Sequence, residues 1–380
     1  MSRCRDFADL AAAYGEGSLS QRNMIINGNM LVSQRAATAA TTAIGYTLDR
    51  WKILSDNLDE LAFEVTQVND VPATFAGGGG KSLKYQTKTV ESALASDENF
   101  RISQQIEAQN CHRVLYGTSS AKSVTLSFWV KSSLTGVFAV MLYMEDGGLN
   151  VGGTYTISSA DTWEYKTVTF VGNTSQAISH DNTIGFYVQF WLMAGSSYVT
   201  TSNTSWASYA AGRAAYGHAQ NGLATTDEST WFLTGVQFEV GEVATPFENI
   251  SFMETLQKCY RYHKSMDVGS STRMHATALA DTTTRARFVV NHNPEMRTTP
   301  TVSEFNADIG GADCNAIATV GSEHLNDVIL TRASGRHSSG DILDVHQGAN
   351  TMVLAFDAEL LFKEKFLWNL KTQNTLQRME

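Results

Sequence analysis

Charge is scarce in this sequence. Lys, Arg, Asp and Glu make up 17% of the 380 residues, against about 25% in ordinary soluble domains, while Ser, Thr, Gly and Asn abound. That balance favours many short strands joined by polar turns over long charged helices. Basic excess is absent too: the net charge is −10 and the isoelectric point lies near 5.4. Binding a phosphate backbone needs a basic face, so no nucleic acid partner is expected. No stretch of roughly 18 or more apolar residues occurs, which is the length a membrane-crossing helix needs. The opening MSRCRDFADL has no apolar core of a secretion signal. Membrane insertion is therefore not expected. Cysteine is rare: Cys4, Cys111, Cys259 and Cys314 stand far apart, without CxxC or zinc-ligand spacing. Free thiols in a protein made in the cytoplasm are the expectation.

Catalytic motifs are missing as well. The sequence has no GxSxG elbow, no HExxH and no DxDxDG calcium loop. FAGGGGKS at Phe75–Ser82 ends like a phosphate-binding loop, but Phe75 stands where the first glycine belongs. The following LKYQT alternates like a strand instead of opening a helix. The carboxylate neighbours Asp59 with Glu60 and Asp97 with Glu98 carry no glycosidase signal without a cleft between them. Long β-helices need sustained short repeats, and none are present. Five of the nine histidines fall after residue 267 (His275, His292, His324, His337 and His346), none at metal-ligand spacing. No enzyme activity, no cofactor and no metal are expected.

What the sequence does contain is alternation. Val124, Leu126, Phe128 and Val130 alternate with Thr125, Ser127, Trp129 and Lys131. Phe138, Val140, Leu142 and Met144 alternate with Ala139, Met141, Tyr143 and Glu145. Ile184, Phe186, Val188, Phe190 and Leu192 alternate with Tyr187, Gln189, Trp191 and Met193. Each strand has one apolar face and one mixed aromatic and polar face, which two sheets packed through their apolar faces would satisfy. At this length two domains are expected. Residues 1–22 read as an arm with a short amphipathic stripe at Phe7, Leu10 and Tyr14, residues 23–250 as a large β domain, and 268–360 as a smaller one. In 361–380, Phe362, Phe366 and Leu370 fall on one helical face. Both stripes are candidate anchor or subunit contacts.

The junction Trp231–Met266 joins the two domains. Phe232, Val236, Phe238 and Val240 fall on one side of a strand, with Trp231, Leu233, Gln237 and Glu239 on the other. Gly241 and Pro246 break the pattern. Ser251 with Glu254 then forms a capping box, and Phe252, Leu256, Cys259, Tyr260 and His263 follow at helical spacing, predicting a connecting helix over 251–267.

The run GVQFEVGEVATPFE followed by QKCYRYHKSM resembles the domain junction of bacteriophage virion proteins of the jelly-roll type. MIINGNMLVSQR (Met24–Arg35), YTLDRW (Tyr46–Trp51), SVTLSFWVKSS (Ser123–Ser133), TWEYKTVTF (Thr162–Phe170), MRTTPTV (Met296–Val302) and AFDAEL (Ala355–Leu360) extend the resemblance in the same order across most of the chain. The resemblance implies a mainly β protein: a jelly-roll β-sandwich, one connecting helix, and a smaller C-terminal β-sandwich. It also implies a non-catalytic virion protein assembled in the host bacterial cytoplasm. A tail fibre or receptor-binding protein contacting host-surface glycan is the leading expectation. A head fibre, capsid decoration or tail adaptor protein with a structural role is the alternative. A homotrimer, attached to other virion proteins through the N-terminal arm, is the expected assembly. Related jelly-roll modules hold a calcium ion through a carboxylate in the last strand. Here FLTGVQF offers Thr234 and Gly235 at that place, which argues against the ion.

Flat aromatic rings stack on the C–H faces of sugars, and a neighbouring amide hydrogen-bonds a hydroxyl. The candidate glycan-binding residues are Trp129, Tyr143, Tyr187, Gln189 and Trp191 on the second faces of three strands, with Trp206, Tyr209 and Tyr216 in the long loop from Gly195 to Ser229. The same aromatics would equally suit a face covered by that loop or by a sister subunit.

Overall fold

The computed structural model describes residues 21–35, 38–41, 45–76, 80–220, 222–267, 276–302, 307–309, 314–322, 325–332, 342–347 and 353–359. The expected contact residues Phe7, Leu10, Tyr14, Phe362, Phe366 and Leu370, in the arm and tail, lie outside the described residues. The described chain divides into two units, one ending at Phe252 and the other covering Met253–Glu359.

The first unit is built from β1 (Thr38–Thr41), β2 (Gly45–Tyr46), β3 (Lys52–Asp56), β4 (Ala62–Val68), β5 (Ser82–Thr89), β6 (Asn99–Glu107), β7 (Val124–Ser132), β8 (Gly136–Met144), β9 (Leu149–Ile157), β10 (Glu164–Phe170), β11 (Ile184–Ala194), β12 (Ala207–Ser208) and β13 (Thr230–Val240). They form two antiparallel sheets. Sheet A has the order β1-β4-β5-β13-β7-β10 and sheet B the order β12-β9-β8-β11-β6-β3-β2. Successive strands keep changing sheet, from β3 to β4, β5 to β6, β6 to β7 and β9 to β10. That is the jelly-roll pattern of a sandwich.

Alternation dictates the core. Leu126, Phe128 and Val130 of sheet A face Phe138, Val140, Phe186, Val188 and Phe190 of sheet B in one buried cluster. Rings from opposite sheets meet edge-on, Phe128 with Phe190 at 5.0 Å and Phe63 with Phe100 at 4.6 Å, a favoured aromatic geometry. The mainly β, jelly-roll sandwich expected from the sequence is the observed architecture.

One strand departs from simple alternation. In β13 the register against β7 slips between Thr234, opposite Trp129, and Gln237, opposite Ser127. Three steps on β13 thus match two on β7, the signature of a β-bulge, and Gly235 inside it has φ +60°. The core residues are accordingly Trp231 and Leu233 before the bulge, then Val236 and Phe238 after it. The single-sided set of Phe232, Val236, Phe238 and Val240 expected from strict alternation is therefore corrected. Phe232 faces outward with Lys131, because one extra residue moves every later side chain to the other face.

The motifs that carried the resemblance act as pins. Asn27 donates to the carbonyls of Val32 at 2.8 Å and Asp49 at 3.0 Å, and its own carbonyl accepts from the Trp51 indole at 3.1 Å. The segment around Met24 and Gly28 runs beside the second half of β13, with Met24 N–H on the Phe238 carbonyl and Val236 N–H on the Gly28 carbonyl. A Cβ at Gly28 would lie 2.1 Å from the Val236 oxygen, so glycine alone permits that approach.

The helix expected over 251–267 spans only Phe252–Tyr260. Its buried side is Thr255 and Cys259, followed by Tyr262, and Phe252 is exposed. His263–Asp267 is instead the strand β14, because a ladder with Val353–Asp357 satisfies its backbone. The second unit continues with β15 (Ala276–Ala280), β16 (Arg285–Asn291), β17 (Thr301–Val302), β18 (Ala307–Ile309), β19 (Cys314–Gly321), β20 (Leu325–Arg332), β21 (Ile342–Gln347) and β22 (Val353–Asp357). These form antiparallel sheets β14-β22-β17 and β18-β21-β15-β16-β20-β19. Three motifs converge here. Arg297 donates to the carbonyls of Ala358 at 2.8 Å and Glu359 at 2.9 Å, and Ala358 N–H donates to the Tyr262 carbonyl at 2.7 Å.

Candidate functional site: an open aromatic face on sheet A

Strands β10, β7 and β13 turn their second faces away from the core of the first unit. Register places Tyr165 opposite Trp129, and Trp129 opposite Thr234. The Tyr165 and Trp129 rings lie 5.4 Å apart. Tyr165 is 44% exposed, and Trp129 is half-buried. Phe75 and Phe247, both half-buried, extend the surface with ring centres 5.2 Å apart. Gly235 leaves room for this arrangement, since a Cβ there would meet the Phe75 ring at 2.6 Å and Trp129 at 3.1 Å. The bulge therefore shapes the aromatic face as well as the core.

The next row across the sheet mixes rings with charge. Lys131 pairs with Phe232, which pairs with Lys84, which pairs with Thr66. The Lys131 ammonium sits 4.3 Å from the Phe232 ring and 5.4 Å from the Trp163 ring, a cation–π arrangement. It also binds the Asp70 carboxylate, whose other oxygen accepts from the Trp163 indole at 3.0 Å. Burial pushes the Asp70 carboxyl up. The hydrogen bonds from Lys131 and Trp163 and the Lys131 charge outweigh that and hold it below the usual carboxylate range. The result is a surface on which Tyr165 is exposed, Trp129, Trp163, Phe75 and Phe247 are half-buried, and Phe232 and Lys131 lie buried beneath them. Its accessible rings and fixed polar groups suit stacking and hydrogen bonding to a hydroxyl-rich ligand.

The sequence-derived candidates divide between the two sheets. Trp129 belongs to the open face. Tyr143, Tyr187, Gln189 and Trp191 come together on the second face of sheet B, but they are only 7%, 0%, 0% and 1% exposed. The segment after β11 covers them: Tyr198 packs 5.4 Å from Trp191, and Tyr209 meets Tyr143 edge-on at 5.7 Å. Trp206 serves the core edge, its indole donating to the Val171 carbonyl at 2.7 Å and its ring 5.7 Å from Tyr116. Tyr216 is exposed, apart from these contacts.

The cover is firmly held. Arg213 donates to the Ser205 carbonyl at 2.6 Å and to Asn150 Oδ1 at 3.3 Å. Asn203 donates to the Arg213 carbonyl at 2.7 Å. Gly152 N–H donates to the Asn203 carbonyl at 2.8 Å.

Sequence reasoning missed Tyr165, Trp163, Phe75 and Phe247. The two β10 residues had a usable signal, because Trp163, Tyr165, Thr167 and Thr169 recur at period two. Phe75 and Phe247 come from a short helix and a linker, where no periodicity exists to read.

Two other chemistries can be placed. Gly80 and Lys81 lead directly into β5 at Ser82, so a strand and not a helix follows the FAGGGGKS run. Asp59, Glu91 and Glu98 each bring a carboxylate oxygen within 4.8 Å of the others, and Glu91 and Glu98 are buried. Burial, followed by the charges of Glu91, Asp59 and Asp97, pushes the Glu98 carboxyl up. Among the described residues, this is the group able to hold a hard cation through oxygen ligands.

No family model matches the chain, and no curated protein matches it in sequence. Among solved structures, it is similar to the enzymatically active domain of tailspike protein 4 from bacteriophage CBA120, at 13% identity and TM-score 0.33, covering 58% of this chain and 22% of that one. It is similar to a putative sugar binding protein from Bacteroides thetaiotaomicron, at 11% identity and TM-score 0.32, covering 58% of this chain and 100% of that one. It is also similar to the family 11 carbohydrate-binding module from Clostridium thermocellum in complex with a mixed-linked tetrasaccharide, at 10% identity and TM-score 0.28, covering 55% of this chain and 96% of that one.

Proposed function

We propose that this chain is a non-catalytic bacteriophage virion protein, a tail fibre or receptor-binding protein that contacts host-surface glycan through the outer face of sheet A. The observation that carries the glycan contact is the Trp129–Tyr165 pair: two rings 5.4 Å apart, side by side on neighbouring strands, with Tyr165 open to solvent. Large aromatics are usually buried, so an exposed tyrosine beside a half-buried tryptophan supports a contact surface here. The virion assignment rests on the ordered motifs of the sequence. They occupy structural pins in both units, as Asn27 with Trp51 and Arg297 with Ala358 illustrate.

Catalysis is not part of this reading. Asp70, the carboxylate bonded to Trp163 and Lys131, is held below the usual carboxylate range by those contacts, which suits a fixed hydrogen-bonding group on the face better than a proton donor. Assembly as a homotrimer attached to the particle through the N-terminal arm completes the proposal.

A glycan array probed with the full chain and with Trp129→Ala tests the glycan contact. Binding that the substitution abolishes, in a protein with unchanged melting temperature, supports it. Binding unchanged in Trp129→Ala would overturn it. An absence of binding by the full chain would favour the structural role of a head fibre or decoration protein.

A further inference from the structure

Two lysines flank Phe232 on the outer face of sheet A, and their surroundings differ. Lys131, on the β7 side, is committed: only 9% exposed, it is ion-paired with Asp70 and enclosed by Phe232 and Trp163. Lys84, on the β5 side, is half-buried. Its ammonium lies 6.0 Å from the Phe232 ring and donates at 2.8 Å to a neutral group, the Gln86 amide oxygen. Lys131 and Asp70 cancel, so the row Trp163–Lys131–Phe232–Lys84 keeps one positive charge beside an aromatic surface, in a protein whose net charge is −10.

Further along β5 the balance reverses. Lys88 lies 3.8 Å from Glu64 and 3.4 Å from Glu228, giving two carboxylates to one ammonium. Both carboxylates lie at the level of Gln86, two residues along the strand from Lys84: Glu64 stands opposite Gln86, and the Gln86 amide nitrogen donates to Glu228. This side of Lys84 therefore repels an extended polyanion. An anionic group at Lys84 is therefore favoured with the remainder of its chain lying toward Phe232 and Trp163, over the rings.

We infer that the outer face of sheet A selects an acidic saccharide, one bearing a carboxylate, and that Lys84 is the residue that pairs with it. This rests on that face being the glycan-contacting surface. A half-buried ammonium beside apolar rings is screened less than one in open solvent and is already positioned, so a sugar carboxylate replaces the Gln86 contact with a charge-assisted one. Lys84 acts here as a specificity residue, and the rings carry the stacking common to acidic and neutral sugars.

The test is an array carrying uronic-acid oligosaccharides beside the same oligosaccharides with their carboxylates reduced to alcohols, probed with wild type, Lys84→Gln, Lys84→Arg and Trp129→Ala. Wild type should bind the acidic member of a pair roughly three- to five-fold more tightly, the scale of a partly exposed ion pair. That preference should fall with added salt, disappear in Lys84→Gln and persist in Lys84→Arg. Equal binding of both members, lost in Trp129→Ala, would overturn the inference and leave the glycan-contacting face standing. No binding to either member would overturn that face, and the inference with it.

Discussion

The Trp51 indole N–H donates to the Asn27 carbonyl at 3.1 Å, joining residues 24 positions apart. Asn27 has φ +60°, a left-handed conformation that asparagine tolerates better than most residues. Its amide also holds Val32 and Asp49. This node ties the first segment of the chain to the start of β3, where it feeds sheet B. Asn27→Ala would leave several buried groups unpaired and strain the backbone, and should cost about 2 kcal/mol of stability. Denaturant unfolding of purified protein measures it, and a change of a few tenths of a kcal/mol would show the node to be incidental.

Much of this fold was legible from period-two patterns. The apolar faces of β7, β8 and β11 lie where alternation puts them, since a strand buried on one side has no other way to hide those groups. The β13 bulge was not legible, because the extra residue shows only against the register of β7. Nor could the sequence separate an open aromatic face from a covered one. Trp129 and Trp191 sit in equivalent strand patterns, yet one is half-buried on sheet A and the other lies under Tyr198. Tyr165 became a site residue only once β10 was known to pair with β7. Strand pairing is long-range, and local pattern does not encode it.

Gly235 joins the fold to the proposed site. A side chain there meets both a left-handed φ and the rings of Phe75 and Trp129. Gly235→Ala should destabilise the protein by about 1–2 kcal/mol and displace the aromatic face. Tryptophan fluorescence and glycan binding should change together. A variant with wild-type stability and binding would refute the role of the bulge.

The covered face of sheet B should behave as structure. Both amide atoms of the Gln189 side chain are buried without a hydrogen-bond partner among the described residues, an arrangement that costs stability. Gln189→Met keeps the volume and removes the polar atoms, so it should raise stability by about 1 kcal/mol and leave glycan binding unchanged. Weakened binding in a stably folded variant would return this face to the list of ligand surfaces.

Glu98 gives a pH signature. Its folded pKa is raised above the unfolded value, first by burial and then by the charges of Glu91, Asp59 and Asp97. The stability linked to its protonated form is therefore present below the unfolded pKa and lost as pH rises through the folded one. Glu98→Gln should melt higher than wild type at pH 7, and the gain should shrink as the pH falls through the folded pKa and be gone below the unfolded value of about 4. Thermal melts across that range measure it. A gain independent of pH would contradict the electrostatic origin.

The central claim is that the open aromatic face of sheet A, and not the covered face of sheet B, meets the glycan. The most direct measurement compares binding of Trp129→Ala and Tyr165→Ala with that of Tyr209→Ala on one glycan array, each variant checked for wild-type oligomeric mass and melting temperature. The expected result is roughly ten-fold or greater loss in the first two, the scale of a removed stacking contact, and little change in the third. Retained binding in Trp129→Ala and Tyr165→Ala together with lost binding in a fully folded Tyr209→Ala would contradict the account.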